Sequence, residues 1–295
     1  GFYTENPTLS NEKRWFGNTL TGLVQTERLQ GAGLDPEIVR KSQAVSLQGH
    51  GLFEKAVGGK AMKAKDRQEI VSILLPLGIV MFMFMIIMMA AQPMLESVLE
   101  EKANRIAEVL LGSASPFQIM AGKLLGNVTG SLTITLIYLS GAVGLAYYRD
   151  SLDLIPVEML PWFVVFQLLA VVMFSSIFMA IGASVNQLKE AQSLLLPVWI
   201  LIVAPLFVWL NIVREPNGGL ATWLSLTPPF IPMLMSLRIA VSSAVPLWQP
   251  LLGVVLMLVV TLMSIFAAGR IFRIGMLAQG RAPGISELMR WALTG

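Results

Sequence analysis

Five stretches of this chain, residues 70–91, 124–148, 160–185, 192–213 and 251–269, run for about twenty residues or more without one Asp, Glu, Lys or Arg. At 1.5 Å rise per residue, ~20 residues of α-helix cover the ~30 Å hydrocarbon core of a bilayer. A soluble helix of that length keeps a charged face, and these have none. Within lipid every backbone amide must find its partner inside the chain, so apolar spans of this length are helices. The chain is expected to be a multi-pass protein of the cell (cytoplasmic) membrane. Only 13% of its 295 residues are charged, about half the ~25% of a soluble domain.

A sixth apolar stretch, 220–245, is interrupted by Pro228, Pro229 and Pro232 and carries Arg238. Proline inside a helix removes a hydrogen bond and clashes with the preceding turn. Backbone freed in this way must be buried in protein or lie at the interface. The segment therefore reads as a re-entrant, broken hairpin, or alternatively as an interfacial loop with a short helix. Residues 1–69 are polar enough to be soluble. Trp15, Phe16, Leu20, Leu23 and Val24 recur at helical spacing after a cap at Ser10, Asp35-Pro36 opens a second short helix, and Val45 and Leu47 suggest a strand. The expected class is an all-α polytopic membrane protein with five transmembrane helices, a Pro-broken segment and a small α+β soluble remnant at the N-terminus. The transmembrane domain covers 70–275 and a cytoplasmic tail 276–295.

The absence of Cys removes disulfides, thiolate metal sites and thiol nucleophiles, and a single His excludes a multi-His centre. The methionines clustered at 81–89 fill apolar space rather than bind soft metal, so no metal site is expected. A net charge of +3 spread over an apolar chain makes no basic stripe for nucleic acid. Neither Gly-Lys pair completes a phosphate loop. Five residues before Gly122-Lys123 stands Phe117, five before Gly59-Lys60 stands Glu54, and neither pair is followed by Ser or Thr.

The most informative polar segment is 94–123. Leu95, Val98, Leu99, Ile106, Val109 and Leu110 share one helical face, while Glu96, Glu100, Glu101, Arg105 and Glu108 fall mostly on the other. This predicts an amphipathic helix lying at an interface, ended by Gly112 as C-cap. Ser115-Pro116 reads as N-cap and first-turn proline of a second short helix toward Gly122-Lys123.

The run LEEKANRIAEVLLGSASPFQIMAGKLLG resembles the signature loop of ABC-2 type exporter permeases, in their sodium-export branch. GLDPEIVRKSQAVSL is similar to the end of that family's extracytoplasmic domain, LSLTPPFIPMLMSLRIA to its Pro-rich segment, and IFRIGMLAQGRAP to its cytoplasmic tail. The family's first transmembrane helix and most of its extracytoplasmic domain have no counterpart. The expectation is therefore a C-terminal fragment, consistent with a first residue, Gly1, that is not Met. The resemblance implies a six-helix permease that works in pairs, of identical or different chains. ATP and Mg would be bound by a separate ABC ATPase subunit, and substrate (sodium ions or a small hydrophobic compound) would move outward.

It also orients the chain. Counted with the N-terminal flank, Lys and Arg number eight on each side, and the positive-inside rule ties. Setting that flank aside as part of a translocated domain leaves eight against three and makes the side of 94–123 cytoplasmic, as the resemblance implies.

By the same resemblance, the residues coupling this loop to the ATPase are Glu101, Arg105, Glu108, Ser115, Pro116 and Lys123. Each charge could equally be a solvated helix face or an i,i+4 pair such as Glu101 with Arg105. Pathway and gating candidates are Asn127 and Gln167, the costliest polar groups to bury within spans, with Pro228, Pro232 and Arg238 in the broken segment. The span hydroxyls also serve as ordinary helix–helix contacts. Arg238 could snorkel to headgroups, bond carbonyls freed by the prolines, or gate. The spans carry no ionisable side chain for a proton relay, which counts against an ATP-independent secondary transporter. A non-transporting scaffold or accessory subunit is the third possibility.

Overall fold

The computed structural model describes residue 24 and residues 61–104, 106, 112–148, 158–242, 244–277 and 283–294. Among the described residues the chain is helical, with no strand. The short helix after Asp35, the strand near Val45, Arg105 and Glu108 lie outside them. Among the described residues the principal helices are, in order, α1 Ala61–Ala103, α2 Pro116–Tyr148, α3 Met159–Ser184, α4 Leu188–Arg214, α5 Gly219–Ser225, α6 Ile231–Val241, α7 Trp248–Leu277 and α8 Ile285–Thr294. Five of them, α1 to α4 and α7, are long and apolar enough to cross a membrane.

Two helices differ from expectation. The 43 residues of α1 make a rod of ~65 Å that passes through Pro76 and Pro93 without ending. Met94–Ala103 therefore continues the first span instead of forming a separate helix along the interface. A proline is survivable in a membrane helix when neighbouring groups re-satisfy the freed backbone. Here the Asn127 amide of α2 donates to the Ala90 carbonyl, one residue beyond the carbonyl that Pro93 deprives of its donor. Likewise α2 is one helix of 33 residues from Pro116, with no break at Gly122-Lys123. Gly112 is itself helical and has no left-handed φ, and the chain bends at Ala114.

The centre of the bundle is α3. Two-thirds (67%) of its apolar stretch is buried, against 11% for α2, because α1, α6 and α7 all pack around it. The main core joins Val80, Met83, Ile87 and Leu95 of α1 to Phe163, Phe166, Phe174 and Phe178 of α3 and to Ile231, Leu234 and Leu237 of α6. Phe82 stacks on Phe163 with ring centroids 5.7 Å apart. A second cluster, at the end carrying the 94–123 segment, joins Met120 and Leu124 to Met179, Ala183, Phe272 and Met276.

Two glycines make this end tight. A Cβ on Gly182 would stand 2.8 Å from the Leu95 carbonyl oxygen, and one on Gly275 would stand 2.7 Å from that of Ala183. Small residues let membrane helices approach backbone to backbone in this way. On the outside of the bundle, Leu258, Val259, Leu262, Met263 and Phe266 of α7 and Leu136, Ile137 and Leu145 of α2 are exposed. In a multi-pass membrane protein such a surface is open to lipid or to another membrane chain.

Candidate functional site

The predicted site residues that are described fall mainly into two groups toward opposite ends of the bundle. At one end the 94–123 segment leaves α1 and returns as α2, and both stems are fastened. Lys123 of α2 donates to the Glu101 carboxylate of α1 at 2.6 Å and to the Ser97 hydroxyl at 3.0 Å. Both members of the ion pair are about one-fifth exposed, at 19% and 22%, so water screens it less than a surface pair. Glu101 thus pairs across helices. Its expected i,i+4 partner Arg105 lies outside the described residues.

Ser115 does cap α2, and the cap is reciprocal. The Gln118 amide N–H donates to Ser115 Oγ at 3.3 Å, while the Ser115 N–H and hydroxyl donate to Gln118 Oε1 at 2.9 and 3.0 Å. This is a capping box with Pro116 in the first turn.

The residue that sequence reasoning missed is Lys102. Its ammonium donates to the Ala183 carbonyl at 2.9 Å and to the Gly275 carbonyl at 2.7 Å. These carbonyls lie in the last turns of α3 and α7, where unpaired oxygens and the helix dipole favour a cation. One side chain therefore pins the stem of the 94–123 segment to the ends of two other spanning helices, where Gly275 already presses on Ala183. Its partners lie 81 and 173 positions away, so no local pattern marks it.

One turn beyond Lys123, Asn127 donates from its amide to the Ala90 carbonyl at 3.1 Å and the Ser175 hydroxyl at 2.7 Å, tying α1, α2 and α3 together. It borders a cleft of about 320 Å³ between α1 and α2, lined also by Pro93, Ser97, Gly126, Gly130 and Ser131. Gln167 is buried in α3, and both its amide atoms lack a partner among the described residues. An unmet buried amide costs roughly 1–3 kcal/mol. Buried Ser236 on α6 is also without a partner there.

At the other end, α5 and α6 form a short helical pair joined at Thr227–Phe230. Pro228 sits in the turn and buried Pro232 in the first turn of α6, where its missing N–H does no harm. The tip packs between α3 and α7, where Ile231 and Phe166 both approach Gly253. Arg238 does not snorkel. It is 0% exposed and holds the pair together. Its Nε donates to the Pro216 carbonyl at 2.7 Å, Nη1 to the Ser225 hydroxyl at 2.6 Å and Nη2 to the Thr222 hydroxyl at 3.4 Å. The carbonyl it takes lies in the turn after α4, not at the Pro228–Pro232 break.

Among the described residues no group of His, Cys, Asp or Glu is placed to hold a metal ion. The site offers neutral oxygens, apolar clefts and mechanical links between helices.

Comparison with known proteins bears on what such a frame is for. The family model described as "ABC-2 family transporter protein" matches residues 2–270. The chain is 29% identical over 249 residues to uncharacterized protein YhaP of Bacillus subtilis strain 168, covering 79% of this chain and 59% of that protein. It is 30% identical over 217 residues to uncharacterized protein MJ1024 of Methanocaldococcus jannaschii, covering 73% and 53% respectively. The chain thus spans between half and three-fifths of the length of these curated relatives. No solved structure matches it.

Proposed function

The chain belongs to the ABC-2 family of transporter proteins, and from that premise we propose that it is the membrane-spanning permease of an ABC exporter. In this reading a separate ABC ATPase subunit binds and hydrolyses ATP with Mg. Two permease subunits, identical or different, form the path, and substrate moves outward. The observation that carries the reading is the fastening of the 94–123 segment. Its stems are tied to each other by Lys123–Glu101 and to the ends of α3 and α7 by Lys102, so a push on the segment moves the bundle and not a loose loop. Switching proteins transmit motion through such rigid packed elements.

Sodium is the cargo suggested by the likeness of the signature loop to the sodium-export branch. A sodium ion would meet neutral oxygens such as those near Asn127 and Ser175. A small hydrophobic compound is the alternative cargo, suited by the cleft between α1 and α2.

The test is transport in inside-out vesicles carrying the permease together with a candidate ABC ATPase subunit from the same organism. Sodium uptake should require both ATP and the partner, and the permease purified alone should turn over no ATP. Uptake without ATP would favour a secondary transporter. Assembly with no transport of any tested cargo would favour an accessory subunit.

The reading also sets topology: the 94–123 segment and the tail are cytoplasmic, residues 1–69 and the Pro-rich turn outside. The chain has no cysteine, so single cysteines report cleanly. In intact cells an impermeant maleimide should label His50→Cys and reach Asn104→Cys only after permeabilisation. The reverse pattern would overturn the orientation.

A further inference from the structure

The tail expected beyond residue 276 contains a helix, α8, folded back against α7. Arg270 holds it there. One guanidinium nitrogen donates to the carbonyls of Ala292 and Leu293, at 3.1 and 2.6 Å, neutralising the negative end of α8. The same guanidinium lies 4.6 Å over the Phe266 ring, a cation–π contact. Phe266 belongs to the exposed apolar face of α7 with Leu258, Leu262 and Met263. Arg270 therefore stands where the lipid-facing belt ends, its stem along hydrocarbon and its head at headgroup level. It fixes α8 at that depth.

Along α8, Ile285, Met289 and Leu293 are exposed at i, i+4 and i+8 and make one apolar edge. Ser286, Glu287 and Arg290 fall between them, which is the pattern of a helix lying in the membrane interface. Under α8 lies a cleft of about 230 Å³, lined by Ile181, Pro197, Ala267 and Ile271 and roofed by Ile285 and Leu288.

Water has little to hold it there, since a buried water needs two to four polar partners. The lining hydroxyl of Ser264 already donates to the Thr261 carbonyl and accepts from Ser176. The volume is also below the roughly 300–1,000 Å³ of sites for drug-sized ligands. Part of a single hydrocarbon chain fits, and exposed Leu196 of α4 and Phe266 of α7, next in sequence to the lining residues Pro197 and Ala267, put the membrane-facing surface beside the cleft.

We propose that this cleft binds one acyl chain of a bilayer phospholipid and that α8 is the interfacial roof that retains it. The proposal needs only the membrane location, so it stands or falls separately from the exporter reading.

The test places the full chain in phosphatidylcholine vesicles doped with a phosphatidylcholine carrying a diazirine midway along one acyl chain. After irradiation, adducts are mapped by mass spectrometry. Adducts are expected on Ile271, Ile285 or Leu288 as well as on the belt residues Leu258 and Met263. Ala267→Phe should fill the cleft. Excluding as few as two methylenes, at ~0.8 kcal/mol each, lowers occupancy about tenfold, so the cleft adducts should fall by that factor while the belt adducts stay constant. Should that variant fail to insert, Ile271→Trp fills the same space and is judged by the same ratio. Labelling confined to the belt in the unaltered chain, or cleft labelling undiminished by the filling residue, would overturn the proposal.

Discussion

Replacing Arg238 by methionine is expected to loosen the α5–α6 pair and lower the stability of the detergent-solubilised chain by about 3 kcal/mol, the scale of losing one or two charge-assisted bonds with their acceptors left dry. The guanidinium reaches a carbonyl and two hydroxyls on two separate segments, and it is fully buried. Methionine keeps much of the volume and removes the buried charge, so part of the lost bonding is offset by the desolvation no longer required. Lysine should be no better than methionine. It keeps the charge, but an ammonium lacks the planar fork that serves acceptors spread over Pro216, Thr222 and Ser225.

Loss of monodispersity on heating reports this, treated as a rate because membrane proteins seldom unfold reversibly. Ser225→Ala should show a fraction of the effect, since it removes only the 2.6 Å contact. If the methionine variant matched the unaltered chain, the staple reading would fail. The pair would then be held by the apolar face of Ile231, Leu234 and Leu237 alone.

Arg238 also marks the boundary between what the chain's residues announce and what they conceal. Its position as a lone charge in an apolar segment is plain from order alone, whereas its partners depend on how α5 folds back. The five spans were legible because lipid forbids charge over about twenty residues, a constraint that needs no partner to act. The end of the first span was not. Pro93 is an ordinary stop signal in water, yet the helix runs on through it, braced beside the gap by the Asn127 side chain of α2 on the Ala90 carbonyl. The Ser115 cap could be read locally, and its Gln118 partner stood three residues on, within the usual capping-box pattern. α8 was equally readable: Ile285, Leu288, Met289 and Leu293 recur at helical spacing, in a segment passed over as tail. Gly182 and Gly275 were not readable, because glycine is common in membrane helices and only the facing backbone distinguishes a necessary one.

The node at Lys102 carries the larger functional expectation, and it rests on the exporter reading. Lys102→Met removes both bonds to the α3 and α7 ends without adding bulk. Gly275→Ala attacks the same junction differently, setting a methyl 2.7 Å from the Ala183 oxygen, so the two backbones must part. If the junction only holds the bundle together, both variants should reduce insertion and yield, and whatever assembles should transport in proportion to its ATP turnover. If the junction carries motion from the 94–123 segment into the spans, Lys102→Met should assemble and sustain ATP turnover while transport per ATP falls. A charge-assisted bond is worth ~1.5–3 kcal/mol, and each 1.4 kcal/mol is a decade, so loss of even one corresponds to about tenfold. Lys102→Arg retains a cation with several donors and should recover most of the coupling. Lys189→Glu, an exposed charge at the start of α4, serves as a control with near-normal coupling. Transport and ATP turnover declining together in Lys102→Met, with no recovery in Lys102→Arg, would reduce Lys102 to a structural fastening and leave Lys123–Glu101 as the link between the segment and the bundle.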